Sequence, residues 1–199
     1  MLDLAIHVRD HLALAASALA IALLLGLPLG SAIASNDRLR APAVGAIYVA
    51  RVVPSLAVLA IMLPLVGIGF WPALIALTLL AVPPIVLATE IGLRGVPEAV
   101  RDAARGLGMT PRQAGARVVW PTALPVVFSG IRTAAVEVVA SATLAAFIGG
   151  GGLGEYIVNG LSENDTPQLL EGAIAVAVLA LATQAVLGGV ERRLAERAA

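Results

Sequence analysis

The sequence predicts an all-α fold, a polytopic membrane bundle of about five transmembrane helices with one ordered polar loop, and three observations predict it. Hydrophobic residues fill 59% of the 199 positions against 13% charged, and the mean hydropathy is +0.95. A soluble domain has nowhere to bury that much apolar surface. Apolar runs able to cross the roughly 30 Å bilayer core, which takes about 20 helical residues, recur five times along the chain. The basic residues are all arginine and gather between or after particular runs. The formal net charge is zero, so the total points to no nucleic acid or other polyanion. With no cysteine there is no disulfide framework, thiolate metal site or thiol nucleophile.

The first run covers about 12–34. Its Ala32-Ile33-Ala34 end looks like a signal-peptidase site, but the run exceeds the ~7–15 residues of a signal core. Asp3 and Asp10 also stand against Arg9 in the leader, so a retained helix is expected. The second and third runs cover about 44–66 and 72–93, the fourth and fifth about 124–148 and 169–190. Pro28, Pro54, Pro64, Pro83 and Pro84 fall inside or at the edges of these runs. Neighbouring helices can satisfy the carbonyls that proline frees, so kinks rather than breaks are expected.

Arginine placement sets orientation through the positive-inside bias of short loops. Arg38 and Arg40 follow the first run, Arg94, Arg101, Arg105, Arg112 and Arg117 the third, and Arg192, Arg193 and Arg197 the fifth. The connection between the fourth and fifth runs carries Glu155, Glu163, Asp165 and Glu171 without arginine. The N-terminus is therefore expected outside and the C-terminus in the cytoplasm, in the cell membrane.

Residues 97–121, between the third and fourth runs, form the expected cytoplasmic loop. Pro97 suits the first position of a helix. Val100, Ala103, Ala104 and Leu107 recur at helical spacing opposite Glu98, Arg101, Asp102 and Arg105. After Gly106 and Gly108, Thr110 with Gln113 makes a capping box, and Pro111 is placed to open a second short helix. Such a hairpin either docks on a soluble partner or lies passively on lipid headgroups.

Asp102-Ala103-Ala104, Gly108 four residues on, and the later Leu124-Pro125 resemble the signature loop of permease subunits in binding-protein-dependent ABC importers, E-A-A-x-x-x-G followed by a hydrophobic-x-L-P. Asp102 stands where the pattern has Glu, which keeps the carboxylate. The resemblance implies that the loop sits in a cleft of a cytoplasmic ATP-binding subunit, with Asp102, Ala103, Ala104 and Gly108 as coupling contacts. Arg101, Arg105 and Arg112 would then pair with acids on that partner. Pro54-Ser55-Leu56-Ala57, Leu65-Val66-Gly67-Ile68-Gly69, 142–149 and Gly151-Gly152-Leu153-Gly154 resemble the osmoprotectant branch, which imports glycine betaine, carnitine, choline and related quaternary amines. The implied whole is a single transmembrane permease domain over 1–199. Its implied partners are an ATP-hydrolysing subunit, an extracytoplasmic solute-binding protein, a second permease subunit and membrane lipid. The chain itself would bind no cofactor and catalyse no reaction, ATP being hydrolysed on the partner.

The glycine-rich 149–154 stretch lacks the Lys and Ser/Thr of a phosphate loop and reads as a flexible external turn or gate. Ionisable residues inside membrane runs default to functional hypotheses. Arg51 and Arg132 lie about two turns inside from the cytoplasmic ends, near enough to snorkel, and Glu90 is near a cytoplasmic end. Glu137 lies deepest. It is either a pathway carboxylate for a cationic solute or a structural partner of Arg132 or Arg51. Ser141 and Thr143 continue along its helix, and Ser55 and Arg51 lie in the second run. These five are the translocation-pathway candidates. Aromatic residues make up 4% of the chain and are scattered, so a cation–π cage within it is not expected. His7 and His11 precede the main spans and no H-E-x-x-H occurs, which argues against an intramembrane hydrolase. A channel or scaffold without energy coupling would explain the apolar runs but not the capped loop. Another small solute, an amino acid or a thiol-containing betaine, is the alternative cargo.

Overall fold

The computed structural model describes residues 2–198. Its helices are α1 (Leu2–Ala34), α2 (Asp37–Val52), α3 (Ser55–Val66), α4 (Phe70–Arg94), α5 (Glu98–Gly106), α6 (Pro111–Ala114), α7 (Trp120–Ser141), α8 (Leu153–Ser162) and α9 (Thr166–Ala198). Helices α1, α4 and α9, together with the continuous stretch Pro111–Ile148, are each long and apolar enough to cross a membrane.

Helices α1, α4 and α7 make the core. Leu14, Ala18, Ala22, Leu77, Ile85, Ala134 and Val138 form one buried cluster with Leu59 of α3. Small residues set the spacing, as they do where helices associate in lipid and close backbone approach replaces hydrophobic drive. A Cβ on Gly26 would stand 2.7 Å from the Ile85 side chain, and one on Gly30 would stand 2.6 Å from Thr89. Gly130 of α7 packs so closely on α4 that a Cβ there would meet Ala88 and the Pro84 carbonyl.

These contacts also give direction. Gly26 lies against Ile85 and Gly30 against Thr89, so α1 and α4 run parallel. The intervening α2 and α3 must together carry the chain back across. Gly92 faces Ala123 and Val127 while Gly130 faces Ala88 and Pro84, so α7 runs antiparallel to α4.

The second expected span departs from a kinked helix. Helices α2 and α3 meet at 90°, so Pro54 breaks the run rather than kinking it. A proline ring bars the residue before it from helical geometry; Val53 is extended at φ −68°, ψ 121°. The span also starts earlier, at Asp37, where the Asn36 side chain accepts the Arg38 N–H at 3.1 Å. Pro28, Pro64, Pro83 and Pro84 remain inside helices, as expected.

Helix α7 is entered through a π turn, Gly115–Val119, in which the Trp120 N–H bonds to the Gly115 carbonyl. It leaves through a 3-10 segment, Ala142–Ile148, ending on left-handed Gly149 (φ 69°). The Gly69 N–H donates to the Ile148 carbonyl at 2.7 Å, joining the start of α4 to this end. The glycine-rich stretch is thus a packed turn and not the loose one expected. A Cβ on Gly150 would stand 2.8 Å from both Ala73 and Ala145. From this turn the chain enters α8, whose Leu153, Gly154, Tyr156 and Gly160 are buried.

Candidate functional site

The polar loop is built from its caps inward. Helix α5 ends in a Schellman motif: the Met109 N–H reaches the Ala104 carbonyl at 3.2 Å and the Gly108 N–H reaches Arg105 at 2.9 Å. That geometry puts Gly108 at φ 76°, where a side chain is strained. The glycine of the signature is therefore required by the backbone before any partner is considered. Two residues on, Gln113 Oε1 accepts the Thr110 N–H at 2.9 Å and Thr110 Oγ1 accepts the Gln113 N–H at 3.4 Å, the expected capping box.

Ala104 is buried, and Val100 lies one turn before it at intermediate exposure. Asp102, Ala103, Leu107 and Gly108 are exposed, Leu107 at 77%. The expected apolar face is split: α5 rests on the bundle through one stripe and shows the neighbouring stripe to solvent. Arg101 faces the bundle, donating through its terminal nitrogen to the Leu93 carbonyl at 2.5 Å and through Nε to Val96 at 3.4 Å. It satisfies the C-terminal end of α4, so the expectation that it points to a partner does not hold. Arg105 donates to Glu98 at 3.0 Å and to Asp102 at 2.8 Å. Those bonds, Glu98's first, hold its guanidinium more firmly protonated than an ordinary arginine. Arg112 is exposed and, among the described residues, has no ion-pair partner.

The other candidate region lies at the α2–α3 bend. Arg51, Ser55, Glu137 and Ser141 line one cavity of about 450 Å³, walled by Val58, Leu80 and Pro83 among others. Thr143 lies elsewhere, in the 3-10 segment, with Gly154 packed on its carbonyl and its hydroxyl buried. Arg132 pairs with Glu191 of α9 at 3.1 Å, so it is not the partner of Glu137.

Residues 22–197 match the family described as the binding-protein-dependent transport system inner membrane component. The chain belongs to that family. Among relatives, the carnitine transport permease protein OpuCB of Listeria monocytogenes is 39% identical, over 98% of this chain and 90% of its own length. The choline transport system permease protein OpuBB of Bacillus subtilis (strain 168) is 37% identical, over 93% and 85%. The osmoprotectant import permease protein OsmW of Salmonella typhimurium is 41% identical, over 86% and 82%. A solved structure of the MetNI methionine ABC transporter, in an inward-facing conformation, superposes with a TM-score of 0.84 over 96% of this chain and 95% of its counterpart. At 22% identity that match speaks for the fold.

This inner membrane component is accordingly a multi-pass transport subunit. Sequence reading named Glu90, Arg40 and His11 singly in the permease but not the contacts they make. Glu90, nearly fully buried, accepts from Arg40 at 2.6 Å and lies 3.6 Å from Arg94, which also pairs with Asp37. Helix α2 buries no residue of its own, so these ion pairs tie its start to α4. The arginines were legible as orientation signals, but nothing in the spacing links position 40 to position 90. His11 is fully buried and bonded through Nε2 to the Val139 carbonyl at 2.9 Å. A Cβ on Gly152 would stand 3.1 Å from it. It joins α1, α7 and the glycine-rich turn, a contact of high sequence separation that no local pattern announces.

Proposed function

We propose that this chain is the membrane-spanning subunit of an ABC importer that carries a small quaternary-amine osmoprotectant of the glycine betaine, carnitine or choline type inward. ATP is hydrolysed on a separate cytoplasmic subunit. The observation that carries the reading is the exposed stripe Asp102, Ala103, Leu107 and Gly108 on a rigidly capped α5, in a chain whose relatives are carnitine, choline and osmoprotectant permeases. Helix α5 and the α6 turn, within the 97–121 loop of a single 1–199 domain, dock in the ATPase. The contacts are Asp102, Ala103 and Gly108, with Ala104 supporting them from beneath, Arg105 holding Asp102 in place and Arg112 offering free charge. Arg101 acts from the inner side, fixing α5 to α4.

An extracytoplasmic solute-binding protein delivers the cargo at the end where α8 lies, and a second permease subunit, identical or related, completes the path. The arginines at the α5–α6 end and the acidic residues around α8 support an external N-terminus and a cytoplasmic C-terminus. Arg51, Ser55, Glu137 and Ser141 line the path; Thr143 supports the turn beside it.

The test is ATP-dependent uptake of labelled glycine betaine, carnitine and choline into proteoliposomes holding the chain with its ATPase and binding protein. Saturable uptake that needs all three components is expected. A complex that hydrolyses ATP but moves none of them points to another small solute, and failure of any ATPase to associate points to an uncoupled channel.

A further inference from the structure

The cavity at the α2–α3 bend is lined by two groups of opposite charge, a half-buried Glu137 and an exposed Arg51, that form no ion pair with each other. Glu137 of α7 and Arg51 in the last turn of α2 both line it, yet among the described residues neither forms an ion pair within 4.0 Å. Arg132, the other cation near Glu137 in sequence, is committed to Glu191. Charges inside a membrane bundle are costly unless paired, solvated or met by a ligand. The cavity also has a polar side and an apolar side. Ser55 opens α3, whose N-terminus has no side-chain cap, so its free N–H groups and positive helix end add to Arg51. Ser141 lies one turn beyond Glu137 on α7, and Val58, Leu80 and Pro83 supply apolar wall. At about 450 Å³ the space is in the range of small-ligand sites.

We propose that this cavity is a transient binding site for a small zwitterion, with its carboxylate on Arg51 and the start of α3 and its quaternary ammonium on Glu137. The inference rests on the importer function proposed for the chain and divides the cargo class by charge. A betaine-type solute satisfies both ends. A purely cationic solute such as choline satisfies Glu137 alone and leaves Arg51 unmatched. Arg51 is then the residue that selects for the carboxylate.

The experiment compares uptake of glycine betaine and choline by the full complex in proteoliposomes, for the wild type, Arg51→Gln, Arg51→Lys and Glu137→Gln. Removing one charge-assisted contact in such a site corresponds to about tenfold. Arg51→Gln is expected to lower betaine uptake about tenfold while choline uptake holds or rises, Arg51→Lys to recover part of the loss, and Glu137→Gln to lower both solutes. The ratio of betaine to choline uptake within each variant reads the selectivity independently of how much complex is assembled. An equal fall of both solutes in Arg51→Gln overturns the charge division and makes Arg51 a structural residue at the end of α2. Wild-type uptake of choline without betaine overturns it as well. Wild-type uptake of neither solute removes the cargo class itself and the zwitterion site with it.

Discussion

At the scale of single residues the loop separates backbone demand from partner demand. A Cβ on Gly108 would meet nothing in this chain, so its substitution costs strain from positive φ rather than a clash. That strain is roughly 1–2 kcal/mol for an ordinary residue and less for asparagine, which tolerates the left-handed region. Gly108→Val is expected to insert normally and to lose transport, while Gly108→Asn keeps a larger share of uptake; equal uptake in the valine variant and the wild type would remove Gly108 from the coupling surface. Asp102→Arg replaces the 2.8 Å bond to Arg105 with a like-charge contact, and uptake should fall at least about tenfold with membrane insertion unchanged. Asp102→Glu should transport nearly as the wild type, because the carboxylate is what the position supplies. These positions were legible because caps are local: Thr110, Gln113 and Gly108 act within a few residues of themselves. Arg101 was misread for the opposite reason. Its acceptors are carbonyls of Leu93 and Val96, and a helical wheel of α5 does not contain the end of α4.

At the scale of elements, hydropathy placed the apolar runs well and said less about what happens inside them. The 44–66 run is as apolar as its neighbours, and its 90° turn falls where Pro54 holds Val53 in extended geometry, a local effect that mean hydropathy does not register. Pro28, Pro64, Pro83 and Pro84 instead stayed within their helices. Replacing Pro54 with alanine restores helical freedom to Val53, and α2 and α3 should then straighten. The chain lacks cysteine, so spin labels on cysteines introduced at Tyr48 and Leu63 report the change cleanly. A longer label-to-label distance in the alanine variant, with reduced uptake, is expected; an unchanged distance would show that packing and not the proline holds the bend. The glycines were visible in the sequence too, Gly26 and Gly30 four apart, but only the packed helices show which face they serve. Gly30→Leu forces a side chain into Thr89 and the Val86 carbonyl, 2.6 and 2.8 Å from where a Cβ would stand. Overpacking of that kind costs about 1–3 kcal/mol, read as a lower Tm of the purified protein in detergent.

For the whole molecule, parity of crossings decides how the surfaces are distributed. Two adjacent helices that run parallel, α1 and α4, require a net return between them, so the bent α2–α3 pair counts as a crossing despite its 90° turn. With α7 antiparallel to α4 and α9 leaving from the α8 end, five crossings of this kind predict that the two chain ends lie on opposite faces. Arginine bias alone gave the same parity, from a different physical cause: charge asymmetry in loops, as against registry of small residues in the core. The agreement is informative because either could fail without the other. Single cysteines at Asp3 and at Glu196, probed in intact cells with a membrane-impermeant maleimide, test it directly. Labelling of the first from outside, and of the second only after the cells are opened, is expected. If both label from outside, or neither does, α2–α3 is a re-entrant segment that returns to the face it came from. The loop 97–121 and the C-terminus would then need separate assignment, and the docking of α5 on a cytoplasmic ATPase would lose the geometry that places it there.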